Sequence, residues 1–145
     1  MYLQIGNQII ITLLTLVLCQ GLSYIVSAAR YKYKIIAPAT TGDSNFERRY
    51  RAHLNQLENT IIFLPLIWMA GVGFSNNFIF QALAYSWIIA RVIYSYSYIL
   101  GKKNNIMLIS GIVASICVVI LGFLSLSSAL SNFENVGQSN YWYSR

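Results

Sequence analysis

The stretch Phe46-Glu47-Arg48-Arg49-Tyr50-Arg51-Ala52-His53-Leu54-Asn55-Gln56-Leu57-Glu58 runs on through Asn59 and Thr60 into Ile61-Ile62-Phe63-Leu64-Pro65-Leu66-Ile67-Trp68-Met69-Ala70. A crowded polar segment thus opens an apolar helix with no loop residues between the two. An ionisable side chain at membrane depth costs about 2.5–3.5 kcal/mol on insertion scales, so a helix that keeps several of them marks a candidate site.

Working outward, the composition supports a membrane setting. Hydrophobic residues make up 57% of the chain and charged ones 10%, against about a quarter charged in soluble domains. The first charged residue is Arg30. At about 1.5 Å of rise per residue, the uncharged stretch before it is long enough to cross a hydrocarbon core of roughly 30 Å. It lacks the basic lead-in of a secretory signal, which argues against one. Four apolar segments follow one another: 3–29, 46–74, 78–100 and 104–130. Runs of this length predict helices rather than barrel strands, and the short connections make neighbours antiparallel. The expected fold is an all-α membrane protein, an up-down bundle of four transmembrane helices forming one domain over 1–145. The polar segment 131–145, with Tyr141-Trp142-Tyr143, reads either as an interfacial piece or as a frayed tail.

Local signals refine the helix ends. Pro38 and Gly42 interrupt the first connection, and Asp43, Ser44 or Asn45 is placed to cap the second helix, with Glu47 in its first turn. Pro65 predicts a local kink. Gly111, Ala114, Ser115 and Gly122 offer small surfaces for close helix approach on the fourth helix.

The formal charge of +6 does not read as a nucleic-acid surface, because the cations gather at helix ends. Arg30, Lys32, Lys34, Arg48, Arg49 and Arg51 surround the first connection, and Arg91, Lys102 and Lys103 surround the third. The second connection, Gly73-Phe74-Ser75-Asn76-Asn77, carries none. The excess of Lys and Arg predicts that the first and third connections face the cytoplasm, with both termini opposite. Cys19 and Cys117 sit inside apolar runs, where a small hydrophobic role is expected. With His53 as the single histidine and neither cysteine near it, no metal-ligand set is present. Neither a serine nucleophile elbow nor a phosphate-binding glycine loop is present either.

At about 100° per residue, Arg48, Arg51, Asn55 and Glu58 fall within an arc of roughly 80°, with His53 and Asn59 off its centre. Two guanidinium groups, an amide and a carboxylate on one stripe suit a zwitterionic ligand with several carboxylates. On the third helix, Arg91, Tyr94, Tyr98 and Lys102 follow helical spacing and share a face at the same end of the bundle. The two stripes can meet at one depth. Because these polar groups cluster in one half, a transport pathway across the membrane fits them poorly.

Together these residues resemble the family of membrane-associated proteins in eicosanoid and glutathione metabolism. That family includes microsomal glutathione transferases, the cysteinyl-leukotriene synthase and the lipoxygenase-activating protein. The resemblance rests on Phe46-Glu47-Arg48-x-Tyr50-Arg51-Ala52-x-x-Asn55-x-x-Glu58, on Ala90-Arg91-x-x-Tyr94-x-x-x-Tyr98, and on the approach Pro38-Ala39-Thr40-Thr41-Gly42. It implies a homotrimer that holds glutathione between neighbouring subunits near the cytoplasmic side. Carried over by position, Arg30, Arg51, Asn55, Glu58, Tyr94 and Tyr98 match the family's glutathione contacts, and His53 stands where the synthase has glutamine. The chemistry agrees: Arg30 and Arg51 would meet the two carboxylates, Glu58 the α-ammonium, and Asn55 and His53 the amides.

Three positions depart from the synthase pattern. Tyr31 replaces a second arginine after Arg30, so that arginine's acid role does not transfer. Near the start of the fourth helix, where active members place a thiolate-stabilising arginine, this chain reads Gly101-Lys102-Lys103-Asn104-Asn105, leaving Lys102 or Lys103, with Tyr94, as the expected catalytic groups. Asn59 stands where the synthase has tyrosine. The resulting expectation is a membrane-bound glutathione transferase acting on hydrophobic electrophiles, with peroxidase activity toward lipid hydroperoxides. The alternative is a non-catalytic lipid-binding or scaffold protein of the same fold.

Overall fold

A computed structural model describes residues 5–101 and 105–143, with side chains through residue 132. It contains four helices: α1 (Gly6–Tyr33), α2 (Ser44–Phe74), α3 (Phe78–Ile99) and α4 (Asn105–Tyr143). Each contains a stretch long and apolar enough to cross a membrane. α2 is the hub, touching α1, α3 and α4, and α3 also touches both α1 and α4. Among the described residues α1 and α4 do not meet. The bundle is therefore a rhombus with α2 and α3 along its short diagonal.

The helix ends follow from side-chain chemistry. Of the three candidate caps of α2, Asp43 takes the role: its carboxylate accepts from the backbone N–H of Asn45 at 2.8 Å and of Phe46 at 3.2 Å. Glu47 reaches back to accept from the Gly42 N–H at 3.0 Å, so three amides at the helix entry are satisfied. Asn77 caps α3 in the same manner, accepting from Ile79 N–H at 2.8 Å. α1 closes with Lys34 in the left-handed region at φ 54°, which lets the Ile35 N–H reach the Arg30 carbonyl at 3.0 Å.

α2 runs as one helix through Pro65. α4 is longer than the apolar run 104–130 indicated, continuing as helix to Tyr143 through most of the segment read as interface or tail. No proline follows Pro65 to stop it, and the side chains of Ser131 and Asn132 bond back to the Ser128 carbonyl along the helix.

The core lies where α2, α3 and α4 meet. Phe63 and Trp87 stack at 3.6 Å between centroids with an interplanar angle of 4°, surrounded by Ile67, Phe80, Ala84, Ala114, Cys117 and Leu121. Ile11 ties α1 to this cluster, and a smaller one of Val26, Ala29 and Phe46 joins α1 to the start of α2. The tightest helix approaches are at glycines of α2. A Cβ on Gly71 would clash with the Gln8 side-chain amide, and one on Gly73 would lie 2.8 Å from Ser128 Oγ. On α4, Gly111 faces the Tyr94 ring at 3.4 Å, whereas Gly122 faces open space.

Candidate functional site

The inner face of α2 repeats small and apolar residues at helical spacing: Ala52, Gln56, Thr60, Phe63, Ile67 and Ala70 are all buried. Gln56 and Thr60 are the polar members of that line, and Arg91 of α3 answers them. Arg91 is 3% exposed and Gln56 is fully buried. The Arg91 guanidinium donates from Nε to Gln56 Oε1 at 2.8 Å and from Nη2 to Asn55 Oδ1 at 2.9 Å. Its Cζ lies 4.9 Å from the centroid of the Tyr94 ring, within cation–π range. Gln56 completes its own bonding by donating from Nε2 to Thr60 Oγ1 at 3.2 Å.

These partners are neutral. Arg91 keeps a full positive charge among amide oxygens and an aromatic face, and two of its five N–H groups are engaged there. An ion buried without an opposite charge is strongly disfavoured as a stabilising device. It creates a positive potential at its surface, and that surface is open. Arg91, Asn55, Asn59 and Tyr94 form one wall of a 500 Å³ cleft whose other wall is α4, contributed by Met107, Gly111 and Ile112 among others. Gly111 permits the Tyr94 ring to lie against α4, and Tyr94 stacks on Tyr98 at 6.0 Å. The cleft is polar on the α2–α3 side and mainly apolar on the α4 side, where the Ser115 hydroxyl is turned back to the Gly111 carbonyl at 3.0 Å.

Of the residues expected from the sequence, Asn55 and Tyr94 come together here, and Tyr98 supports Tyr94 from one turn away. Arg51 and Glu58 project from the exposed face of α2 and do not line this cleft. Arg51 borders a separate hollow of 260 Å³ with Thr40, Thr41, Glu47 and Tyr50. Arg30 is partly engaged by its own chain: Nη1 donates to the Ala39 carbonyl at 2.6 Å, and Cζ lies 4.9 Å from the Phe46 ring centroid. His53 is half-buried and sits about 200° around α2 from Asn55, so one protomer does not present both to the same ligand. Lys102 and Lys103 lie outside the described residues.

Three members of the site, Arg91, Gln56 and Asn59, have no binding role that the sequence alone assigns, Asn59 standing out there only as a departure from the synthase pattern. Helical spacing places Arg91 on a polar stripe without giving it a role of its own, and Gln56 stands inside a polar stretch where several residues compete. The signal for Gln56 was available, since it falls in step with Ala52, Thr60 and Phe63 on the core-facing line.

The fold and this cleft define a class: a multi-pass membrane protein of four helices, with a cationic, amide-lined recess in one half of the bundle. The sequence pattern of the MAPEG family matches residues 9–127, and the chain belongs to that family. It is 34% identical over 130 residues to microsomal glutathione S-transferase 2 of Homo sapiens, covering 86% of this chain and 86% of that protein. An uncharacterized protein of Synechocystis sp. is 32% identical over 118 residues, covering 81% of this chain and 85% of the other. Leukotriene C4 synthase of Cavia porcellus is 37% identical over 89 residues, covering 56% and 59%.

Proposed function

We propose that this protein is a membrane-bound glutathione transferase that conjugates glutathione to hydrophobic electrophiles. The observation that carries the reading is the cleft in which a buried, uncompensated Arg91 meets Asn55 and Tyr94 opposite an apolar wall. Such a recess attracts an anionic peptide on one side and an apolar co-substrate on the other. The relatives named above, a glutathione S-transferase and a leukotriene synthase, support the same reading.

The ligand is placed between copies of the chain. Arg51 and Glu58 occupy the outer face of α2, and His53 lies around the helix from Asn55, so a neighbouring copy is needed to gather the full set around one molecule. A homotrimer meets this need, with Arg30 and Arg51 taking the glutathione carboxylates, Glu58 the ammonium, and Tyr98 backing Tyr94. The two Lys/Arg-rich connections face the cytoplasm, where glutathione enters, and the termini lie on the opposite side.

A free thiol has a pKa of about 8.5, so cations and a hydroxyl donor near the sulfur raise the thiolate fraction. Tyr94, with Lys102 or Lys103, fills this role, and Arg91 adds positive potential from behind the tyrosine ring. The thiolate attacks an electrophilic carbon. With an epoxide, the S–C bond forms as the ring C–O bond breaks, and the alkoxide takes up a proton. With a lipid hydroperoxide, two glutathiones yield one disulfide, an alcohol and water. Apolar electrophiles arrive laterally from the bilayer along α4.

Conjugation of a chlorodinitrobenzene-type substrate by purified protein in detergent tests the proposal, with Arg51→Ala as control. Turnover that depends on glutathione and falls in the variant is expected; absence of turnover, or equal turnover in the variant, overturns it. A second reading, a non-catalytic lipid-binding protein, draws on a separate 380 Å³ apolar groove between α3 and α4, lined by Ile89, Ile93, Ile109 and Val113 among others. Retention on immobilised glutathione, competed by free ligand, argues against that second reading.

A further inference from the structure

An arginine side chain carries donors and no acceptor, so whatever faces it must accept. Arg91 therefore turns Asn55 Oδ1 inward at 2.9 Å and Gln56 Oε1 inward at 2.8 Å. Gln56 is fully buried with both ends of its amide engaged, and presents nothing to the cleft. Asn55 differs. With Oδ1 held by Arg91, its Nδ2 remains as a donor on the cleft wall.

Asn59, one turn further along, is fixed the opposite way. Its Nδ2 donates to the Asn55 backbone carbonyl at 2.8 Å, with a longer contact to Asn55 Oδ1 at 3.3 Å. A backbone carbonyl only accepts, so Asn59 Oδ1 is the atom left free as an acceptor. Two neighbouring side chains on one helix face thus offer one oriented donor and one oriented acceptor, with Cβ atoms about 5–6 Å apart. The orientation of the donor is enforced from behind by a buried cation.

A trans amide directs its own N–H and C=O to opposite sides, so this pair does not match a single amide. It matches one residue of an extended peptide, whose flanking N–H and C=O point along the same edge, as they do in strand pairing. Within glutathione, the middle cysteinyl residue alone has an amide N–H and an amide carbonyl. The γ-glutamyl residue carries an ammonium instead of an amide N–H, and the glycyl residue ends in a carboxylate.

We propose that Asn55 Nδ2 and Asn59 Oδ1 bind the main-chain carbonyl and N–H of the thiol-bearing residue of glutathione. This rests on the glutathione reading above and adds to it a specificity-determining role for Asn59, a position where the synthase pattern has tyrosine. By holding both sides of the cysteinyl Cα, the pair fixes the point from which the thiol projects beside Tyr94. Arg91 acts through Asn55 as a positioning residue.

The test compares glutathione with an isosteric analogue in which an ester oxygen replaces the cysteinyl N–H, by titration calorimetry on the full chain in detergent micelles. The wild-type protein is expected to bind the ester about tenfold more weakly. Asn59→Leu is expected to bind both ligands within about twofold of each other, at the weaker level. Asn55→Asp keeps an acceptor for Arg91 but replaces the outward donor with an acceptor. It should lose at least about tenfold in glutathione affinity with no fall in unfolding temperature.

Equal binding of glutathione and ester by the wild type, or full discrimination retained in Asn59→Leu, overturns the pair and leaves the glutathione reading standing. Absence of saturable glutathione binding by folded wild-type protein overturns both. The wild-type comparison needs no variant, so a misfolded Asn59→Leu does not shelter the proposal.

Discussion

One interface between α2 and α3 contains two layers of opposite character. At Phe63 and Trp87 two rings lie face to face at 3.6 Å, both fully buried. One turn along α3, and two along α2, the same helices meet through Arg91, Gln56 and Asn55. The first layer gains free energy from burying apolar area. The second buries a cation that finds only neutral partners, and replacing such a group with apolar side chains of similar volume is often neutral or stabilising. On the function proposed above, the charged layer is kept beside a dry one for what it does at the cleft it borders.

That contrast can be broken most forcefully from the apolar side. Phe63→Ala should cost about 3–5 kcal/mol of stability, read as a lowered unfolding midpoint in detergent, while glutathione affinity of the folded fraction stays unchanged. A large loss of affinity with little loss of stability would mean that the aromatic layer belongs to the site rather than to the scaffold.

From the ionic side, Gln56→Leu leaves the Arg91 Nε–H buried without its acceptor and should cost about 2–3 kcal/mol. Adding Arg91→Met to the same chain removes the stranded cation. The double variant is expected to recover to within about 1 kcal/mol of wild type, yet to lose glutathione-dependent turnover. Should it remain as unstable as the single variant, the ionic layer would be a structural element in its own right.

The outer face of α2 sharpens the comparison further. Arg51 is exposed in the protomer, so Arg51→Ala should shift stability by no more than about 0.5 kcal/mol. Glutathione affinity, measured by the same titration, should fall about tenfold or more, because a charge-assisted contact to a carboxylate is lost. A large drop in unfolding temperature instead would assign Arg51 to subunit assembly.

The sequence made some of this plain and hid the rest for physical reasons. Four long apolar segments give the number of helices, but not all their ends: α1 runs on past 29 to Tyr33 and α4 past 130 to Tyr143, where polar residues continue the helix. For α2 the sequence narrows the cap to Asp43, Ser44 or Asn45, and the carboxylate bonds to the Asn45 and Phe46 N–H groups select the first. Asn55 and Tyr94 were legible because helical spacing put each on a polar stripe. The Arg91–Gln56 pair was not, since a contact across 35 positions depends on how α2 and α3 are turned toward each other. Arg51 and Glu58 could be placed on a face, but one protomer does not show what that face meets. Of the small residues that spacing singles out on α4, Gly111 meets the Tyr94 ring and Ala114 is buried, whereas Gly122 faces open space, and the tightest approaches form on α2 at Gly71 and Gly73.

The smallest expected effect separates the two halves of α4. Gly122 faces open space, so Gly122→Ala meets no atom in the protomer and removes backbone freedom from the unfolded chain. It should raise stability by about 0.5–1 kcal/mol without altering turnover. Gly111 lies against the Tyr94 ring at 3.4 Å in the cleft. Gly111→Ala gains the same helical preference but presses on a ring that backs the site, so its effect should appear in KM for glutathione rather than in the unfolding midpoint. If Gly122→Ala destabilised the protein instead, the open space beside it would be occupied in the membrane by a neighbouring copy of the chain. The apolar half of α4 would then be an assembly surface, and the division between a lipid-facing half and a ligand-facing half of the helix would fail.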